Sequence, residues 1–137
     1  MRRFLSKLLR RSPQVDAGVG DRAGHFYDQG YNCAQAILMA TTGRDDAELL
    51  EICEAYGAGL QESGCLCGAV NGGVMALALC GKGKRTAELV ASFRQRHRTT
   101  CCKGLTAEYK WNSCEHLASC RAITVATAED VARLLAE

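Results

Sequence analysis

The segment from Ala69 to Cys80 constrains the fold most, because it is apolar on nearly every side of the helix that its length predicts. A helix without a polar face has to be enclosed by other elements. The chain has only three Phe, four Tyr and one Trp, few of the residues that favour strands. Its 137 residues suffice for one core but not for two. We predict an all-α fold, a compact single-domain bundle of about five or six short helices around a buried, glycine-rich central helix.

Three glycines, Gly68, Gly72 and Gly73, lie at the start of this predicted helix. Each destabilises a helix by about 1 kcal/mol relative to alanine. We therefore expect something to pack close against the glycine face, either another backbone or a cofactor. Gly68 and Gly72 are the candidate cofactor-binding positions.

Further helices are predicted from capping residues that precede amphipathic segments. Asp21 is expected to cap the first helix of the domain, Asn32 the second and Ser119 the last. The last segment, residues 119–135, contains the run RAITVAT, whose β-branched residues lower helix propensity. We still predict helix for most of it. The domain is placed at residues 21–137.

Residues 1–20 are predicted to form a basic N-terminal arm and linker. The arm begins MRRFLSKLLRRSP, with five positive charges among apolar residues, and is too short and interrupted to span a bilayer. We expect a solvated helix that can make peripheral contact with an anionic membrane. The formal net charge of +2 is too small for a nucleic-acid footprint, so no nucleic-acid partner is expected.

The chain has nine cysteines, at positions 33, 53, 65, 67, 80, 101, 102, 114 and 120. An odd number cannot be paired completely, and no secretory signal precedes them. We therefore expect a reducing, cytoplasmic setting, where thiols more often act as metal ligands or redox groups than as structural disulfides.

Four of these cysteines are predicted to lie at helix starts, after Asn32, at the beginning of the central helix, after Thr100 and after Ser119: Cys33, Cys67, Cys102 and Cys120. Free amides and the helix dipole stabilise a thiolate there and lower the thiol pKa below about 8.5. Four thiolates are the ligand set of an iron–sulfur cluster or of tetrahedral zinc.

The other cysteines have weaker signals. Cys53 and Cys80 fall within predicted helices on apolar faces and are expected to be inert core residues. Cys65, Cys101 and Cys114 stay open as alternative ligands or resolving thiols, since no C-x-x-C pair singles out a set.

The three histidines add little to the predicted site. His25 and His116 are expected to be exposed helix residues. His97 lies on an apolar stripe and is expected to be a core histidine rather than a ligand.

Several stretches resemble the C_GCAxxG_C_C family of redox-active proteins: AGHFYDQGYNCAQAIL, YGAGLQESGCLCGAVNGGVMALAL, CCKGL and SCRAITVATAEDVARLL. The resemblance runs from about Ala23 to Leu135, and its most specific parts are GYNCAQA and the CGAxxG element CGAVNG. A similar module accompanies haem domains in split-Soret-type cytochromes, where cysteines hold a non-haem iron–sulfur centre. By this analogy, the resemblance implies a mostly helical redox protein and favours a cluster.

The functional cysteines that the resemblance implies are Cys33, Cys67, Cys102 and Cys120. Cys102 is preferred to Cys101 because two residues and a leucine follow it, as in the family. Cys120 is preferred to Cys114 because the family's fourth cysteine precedes a terminal helix.

The leading hypothesis is a redox protein in which these four cysteines bind an iron–sulfur cluster or another metal and pass electrons to a partner protein. In the alternative, no metal is bound. Cys33 or Cys67 attacks a disulfide and another cysteine resolves it, an oxidoreductase-like role. A third hypothesis is a zinc or metal-handling module associated with a membrane transporter. The residues alone do not decide among these three hypotheses. They also do not decide whether the protein is an enzyme.

Overall fold

The computed structural model describes residues 18–137, so the predicted arm lies almost entirely outside the described residues. Over this range the chain forms helices and no strand, which confirms the all-α prediction. The helices are α1 (Val19–Asp28), α2 (Cys33–Thr42), α3 (Ala47–Glu54), α4 (Gly68–Leu79), α5 (Thr86–His97), the short α6 (Cys102–Leu105) and α7 (Cys114–Ala136), with 3-10 turns at Leu60–Glu62 and Gly83–Arg85.

Helix α4 is the central helix, as its apolar sequence predicts. It packs against α2, α5 and α7, and its first six residues are all buried. The glycine face allows two neighbours to come close. A Cβ at Gly72 would lie 2.7 Å from the Cα of Ala34 in α2, and a Cβ at Gly73 would meet side chains of α5 and α7. The space in front of Gly72 is therefore filled by another helix backbone.

Helix α2 begins where the sequence predicts, because Asn32 forms a complete capping box. Its side chain accepts a hydrogen bond from the amide of Gln35, whose side chain accepts one from the Asn32 amide. The same two side chains also donate to carbonyls of α3: Asn32 to Cys53 and Glu54, and Gln35 to Leu50. The start of α2 is thus held both by its own capping box and by hydrogen bonds to α3.

Two predicted helix starts are wrong. Helix α1 begins at Val19, so Asp21 lies inside its first turn. The last helix begins at Cys114, six residues before the predicted start, because the Ser113 side chain caps it by accepting from the His116 amide. The β-branched run inside α7 is helical, as predicted, and within it the Thr124 and Thr127 hydroxyls donate to carbonyls four residues earlier.

None of the helices in residues 18–137 combines the length and the apolar character that crossing a membrane requires.

Candidate functional site

A pocket of about 360 Å³ opens between the start of α2, the loop before α4, helix α6 and the first half of α7. Its walls are largely apolar, with Tyr27, Leu105 and Ile123 among them. The pocket is also lined by all four cysteines that the sequence singles out: Cys33, Cys67, Cys102 and Cys120. The fold therefore brings together thiols from four separate elements.

Cys33 is the first residue of α2, as predicted. Its thiol is reachable from the pocket but densely surrounded, and burial raises its pKa. Hydrogen bonds from the backbone amides of Ala58 and Ala34 act in the opposite direction and favour the thiolate. Gly68 leaves the room that the sulfur occupies, since a Cβ there would collide with the Cys33 Sγ. Of the two glycines proposed for a cofactor, Gly68 contacts a pocket thiol and Gly72 contacts a helix.

Cys67 and Cys102 form an interacting pair. Cys67 is the N-cap residue of α4, and Cys102 is the first residue of α6. A hydrogen bond from the Cys67 thiol holds the pKa of Cys102 down to about 7, with help from the Gly68 amide and against the effect of burial. The same hydrogen bond, together with burial, raises the pKa of Cys67. Within the pair, Cys67 is therefore the hydrogen-bond donor, and the thiolate form is favoured at Cys102.

Cys120 lies on the second turn of α7 and not at a helix start, because α7 begins at Cys114. The free amides and dipole expected to lower its pKa are therefore out of reach. Burial instead raises its pKa to about 11, and the nearby thiols of Cys33 and Cys102 add to the effect. The Tyr27 hydroxyl hydrogen-bonds to Cys120 and acts in the opposite direction.

His116 is the site residue that the sequence reading missed. The sequence predicts an exposed residue, but His116 is only 4% exposed and lines the pocket. Its Nδ1 accepts a hydrogen bond from the Asn112 amide at 3.0 Å, which leaves the ring proton on Nε2. That nitrogen lies 3.6 Å from the Cys120 Sγ, so His116 donates to the sulfur. The spacing of four residues between His116 and Cys120 is the signal that a correct helix start would have provided.

Cys65 and Cys101 form a disulfide with each other, with Cα atoms 4.3 Å apart. This bond joins the loop before α4 to the segment before α6. Two backbone hydrogen bonds join the same segments, from the Cys67 amide to the Thr100 carbonyl at 2.7 Å and from the Lys103 amide to the Gly64 carbonyl at 3.0 Å. The loop is also held from inside by Asn71, which donates to the Tyr56 and Leu66 carbonyls.

The remaining cysteines lie away from the pocket. Cys53 is a core residue as predicted, buried with its sulfur 3.3 Å from that of Met75. The prediction for Cys80 is wrong: α4 ends at Leu79, which leaves Cys80 exposed at the helix end. Cys114 is also exposed. The His97 ring packs at a tilt of 53° against Phe93 of the same helix, and its buried Nε2 has no hydrogen-bond partner.

Within residues 18–137, no group of three or more His, Cys, Asp or Glu side chains is arranged to hold a metal ion.

A scan against family models matches residues 31–134 to the family described as "Putative redox-active protein (C_GCAxxG_C_C)". The chain belongs to the C_GCAxxG_C_C family. The match includes every cysteine that lines the pocket, so the resemblance predicted from sequence is confirmed. Among curated proteins and among solved structures, nothing matches the chain.

Proposed function

We propose that this C_GCAxxG_C_C protein binds an iron–sulfur cluster through Cys33, Cys67, Cys102 and Cys120 and passes electrons to a partner protein. The observation that carries the proposal is the pocket itself, in which these four thiols from four elements line one largely apolar space. Four cysteine thiolates are the usual ligand set of such clusters.

The size of the pocket that the four thiols line favours a cluster over a single metal ion. A structural zinc ion needs four ligands that each lie about 2.3 Å from one point. A cluster is bound through more than one iron atom, so its ligands are spread around a pocket such as this one, of about 360 Å³. The zinc or transporter-associated alternative has no comparable observation in its favour.

The surroundings of the thiols suit a redox centre. When bound, a cluster would supply one-electron transfer. The amides of Ala58, Ala69 and Gly68 hydrogen-bond to the thiols of Cys33, Cys67 and Cys102 respectively. Amide donors to ligand sulfurs stabilise added negative charge and raise a reduction potential. The apolar wall limits the access of water.

A second candidate is thiol–disulfide exchange without metal, and the Cys67–Cys102 pair favours it. A thiol whose pKa lies near the ambient pH is the most effective attacking group, and the pKa of Cys102 is lowered to about 7. Burial raises the pKa of Cys33, and the bond to Cys102 raises that of Cys67. We therefore assign the attack to Cys102 and the resolving role to Cys67, in place of the attacking roles that the sequence suggested.

The test is to purify the full chain without oxygen, record its visible spectrum, and assay iron, acid-labile sulfide and zinc. We expect a coloured protein with iron and sulfide in equal amounts. Single Cys→Ser changes at 33, 67, 102 and 120 should each reduce the iron content, whereas the matched changes Cys80→Ser and Cys114→Ser, at exposed cysteines, should not.

Colourless protein that takes up no iron and sulfide on anaerobic reconstitution would overturn the cluster proposal. If that protein forms a reversible disulfide between Cys67 and Cys102, the second candidate stands in its place. Stoichiometric zinc without iron would refute both.

A further inference from the structure

The surface disulfide and the pocket dithiol lie on the same two chain segments. Cys65 and Cys67 belong to the loop before α4, and Cys101 and Cys102 are neighbours at the start of α6. The hydrogen bonds at Gly64–Lys103 and Cys67–Thr100 hold these segments side by side. Each member of one pair therefore has a member of the other pair one or two residues away.

The two pairs differ in their access to solvent. Cys65 is exposed and Cys101 is half-buried. Cys67 and Cys102 are only 6% and 7% exposed and lie in the pocket wall. A partner protein can therefore reach the first pair, while the second pair is reached from the pocket or through the first.

We propose that the Cys65–Cys101 disulfide exchanges with the Cys67–Cys102 dithiol, so that the outer pair is the port through which electron pairs move between the pocket and an external protein dithiol or disulfide. The proposal rests on the second candidate function, thiol–disulfide exchange at the Cys67–Cys102 pair. It concerns the metal-free chain, in which the pocket thiols are available for exchange.

The exchange balances without a further reagent. The Cys102 thiolate attacks the Cys65 sulfur, the Cys65–Cys101 bond breaks, and Cys101 leaves as a thiolate that takes up a proton. Cys67 then loses its proton and attacks the Cys102 sulfur, which releases Cys65 as a thiolate that is protonated in turn. One disulfide is consumed and one is formed, and two electrons move from the inner pair to the outer pair.

The first attack falls on Cys65 and not on Cys101 for a geometric reason. Disulfide-bonded cysteines usually have Cα atoms about 4.4–6.8 Å apart. Residues adjacent in sequence, such as Cys101 and Cys102, have Cα atoms about 3.8 Å apart across a trans peptide. A bond from Cys102 to Cys65 avoids this constraint.

The first test traps the intermediate. The full-length, metal-free Cys67→Ser variant cannot complete the second step, so we expect a Cys65–Cys102 disulfide with a free Cys101, identified by alkylation and fragment mass spectrometry. A matched Cys114→Ser variant should show no such bond. A Cys65–Cys101 disulfide that persists unchanged in Cys67→Ser at equilibrium would overturn the proposal.

The second test measures how much the outer pair accelerates oxidation of the inner pair. Oxidised dithiothreitol is added to fully reduced chain, and formation of the Cys67–Cys102 disulfide is followed over time. Removal of both outer cysteines, in Cys65→Ser/Cys101→Ser, should slow it about ten-fold or more. An unchanged rate in folded protein would refute the port, and if this variant does not fold, the trapping test decides.

Iron and sulfide content, assayed on the same variants, separates this proposal from the cluster. Cys65→Ser/Cys101→Ser should reconstitute like the unchanged chain if the cluster proposal is right, whether or not the port exists. Failure of the unchanged chain to bind iron would leave the exchange measurements intact.

Discussion

The pocket has two unlike walls. The helical wall carries Cys33 and Cys120 on α2 and α7, two helices of the bundle that pack against each other and against α4. The loop wall, residues 56–67 and 99–106, carries Cys67 and Cys102. It is held by the Cys65–Cys101 disulfide, by two backbone hydrogen bonds between its two segments, and by the hydrogen bonds that Asn71 donates. The first wall depends on close packing of helices, and the second depends on a few discrete bonds.

This difference gives the two walls unlike capacities for structural change. Packed helices have few alternative arrangements, so the helical wall fixes the positions of two thiols. A segment held by a few bonds can change when one of them is made or broken. The loop wall is where the structure places the only disulfide among the described residues and the thiol whose pKa is lowered. We therefore expect redox change at the loop wall, against a fixed helical wall.

The largest effect should come from reduction of the Cys65–Cys101 disulfide. The bond closes a loop across 36 residues of sequence, and chain-entropy arguments give such a bond about 3–4 kcal/mol of stability. Urea unfolding of the full chain with and without reductant measures this loss. The Cys65→Ser/Cys101→Ser variant is the control and should lose nothing further on reduction. Equal stability of the oxidised and reduced chain would contradict the role given to the loop wall.

For the helical wall, Gly72→Ala should cost about 3 kcal/mol, because the new Cβ would overlap backbone atoms of Ala34 that cannot move aside. Gly83→Ala is a suitable control, since its Cβ would meet Ala78 at 3.7 Å, an ordinary contact. Urea unfolding compares the two variants. A loss no larger for Gly72→Ala than for Gly83→Ala would show that α2 and α4 are not closely packed.

The Asn71→Ala variant should lower the free energy of unfolding by about 2 kcal/mol, since the Tyr56 and Leu66 carbonyls lose their donor. Hydrogen exchange shows which backbone amides lose protection in this variant. Amide protection should fall in the loop wall, at Gln61 and Gly64, while the amides of α2 and α7 stay protected. A uniform loss across both walls would break the distinction between them.

A smaller effect is expected in the pH dependence of alkylation in the reduced, metal-free chain. Thiolate increases as the pH rises through the pKa, so Cys102 should reach half its maximal rate near pH 7, while Cys33 requires a higher pH. Cys67→Ala removes the donor and should slow Cys102 about ten-fold at pH 7, whereas Cys67→Ser keeps a hydroxyl donor and should slow it less. Mass spectrometry of the alkylated peptides gives both rates, and equal rates in the two variants would exclude the hydrogen bond as the cause.

The smallest effect is expected at His116. Replacing it in His116→Phe keeps a ring beside Trp111 and removes the donor to Cys120, which should slow alkylation of Cys120 about two- to five-fold. His25→Phe, on α1, is the control and should leave the rate unchanged. A faster reaction of Cys120 in His116→Phe would mean that the ring shields the sulfur more than it stabilises the thiolate.

The parts of the fold that the sequence predicts are those with a local cause. The apolar run of α4 requires enclosure wherever it occurs, and the Asn32–Gln35 capping box is complete within four residues. The start of α7 is different, because serine precedes cysteine twice in the stretch SCEHLASC. Both pairs present the same local signal, and the structure uses the first.

That ambiguity accounts for two wrong predictions at the site, the helix-start position of Cys120 and the exposure of His116. A helix start at Ser119 makes Cys120 a first-turn thiol, whereas the start at Ser113 places it one turn further and brings His116 beside it. The Cys65–Cys101 disulfide is also beyond local reasoning, because it depends on how α4 and α5 return the chain over 36 residues. The four pocket cysteines could be selected from sequence, but their individual environments follow from tertiary contacts.

The chain contains one tryptophan, Trp111, and it lies at the rim of the pocket. Trp111 is 47% exposed, and its ring packs against that of His116 at a tilt of 34°, with centroids 4.4 Å apart, while His116 contacts Cys120. The tryptophan fluorescence of the protein therefore comes from a single emitter, two contacts from a pocket thiol. Changes in emission on reduction, alkylation or metal uptake can be attributed to this one position, so the unmodified chain carries its own optical reporter.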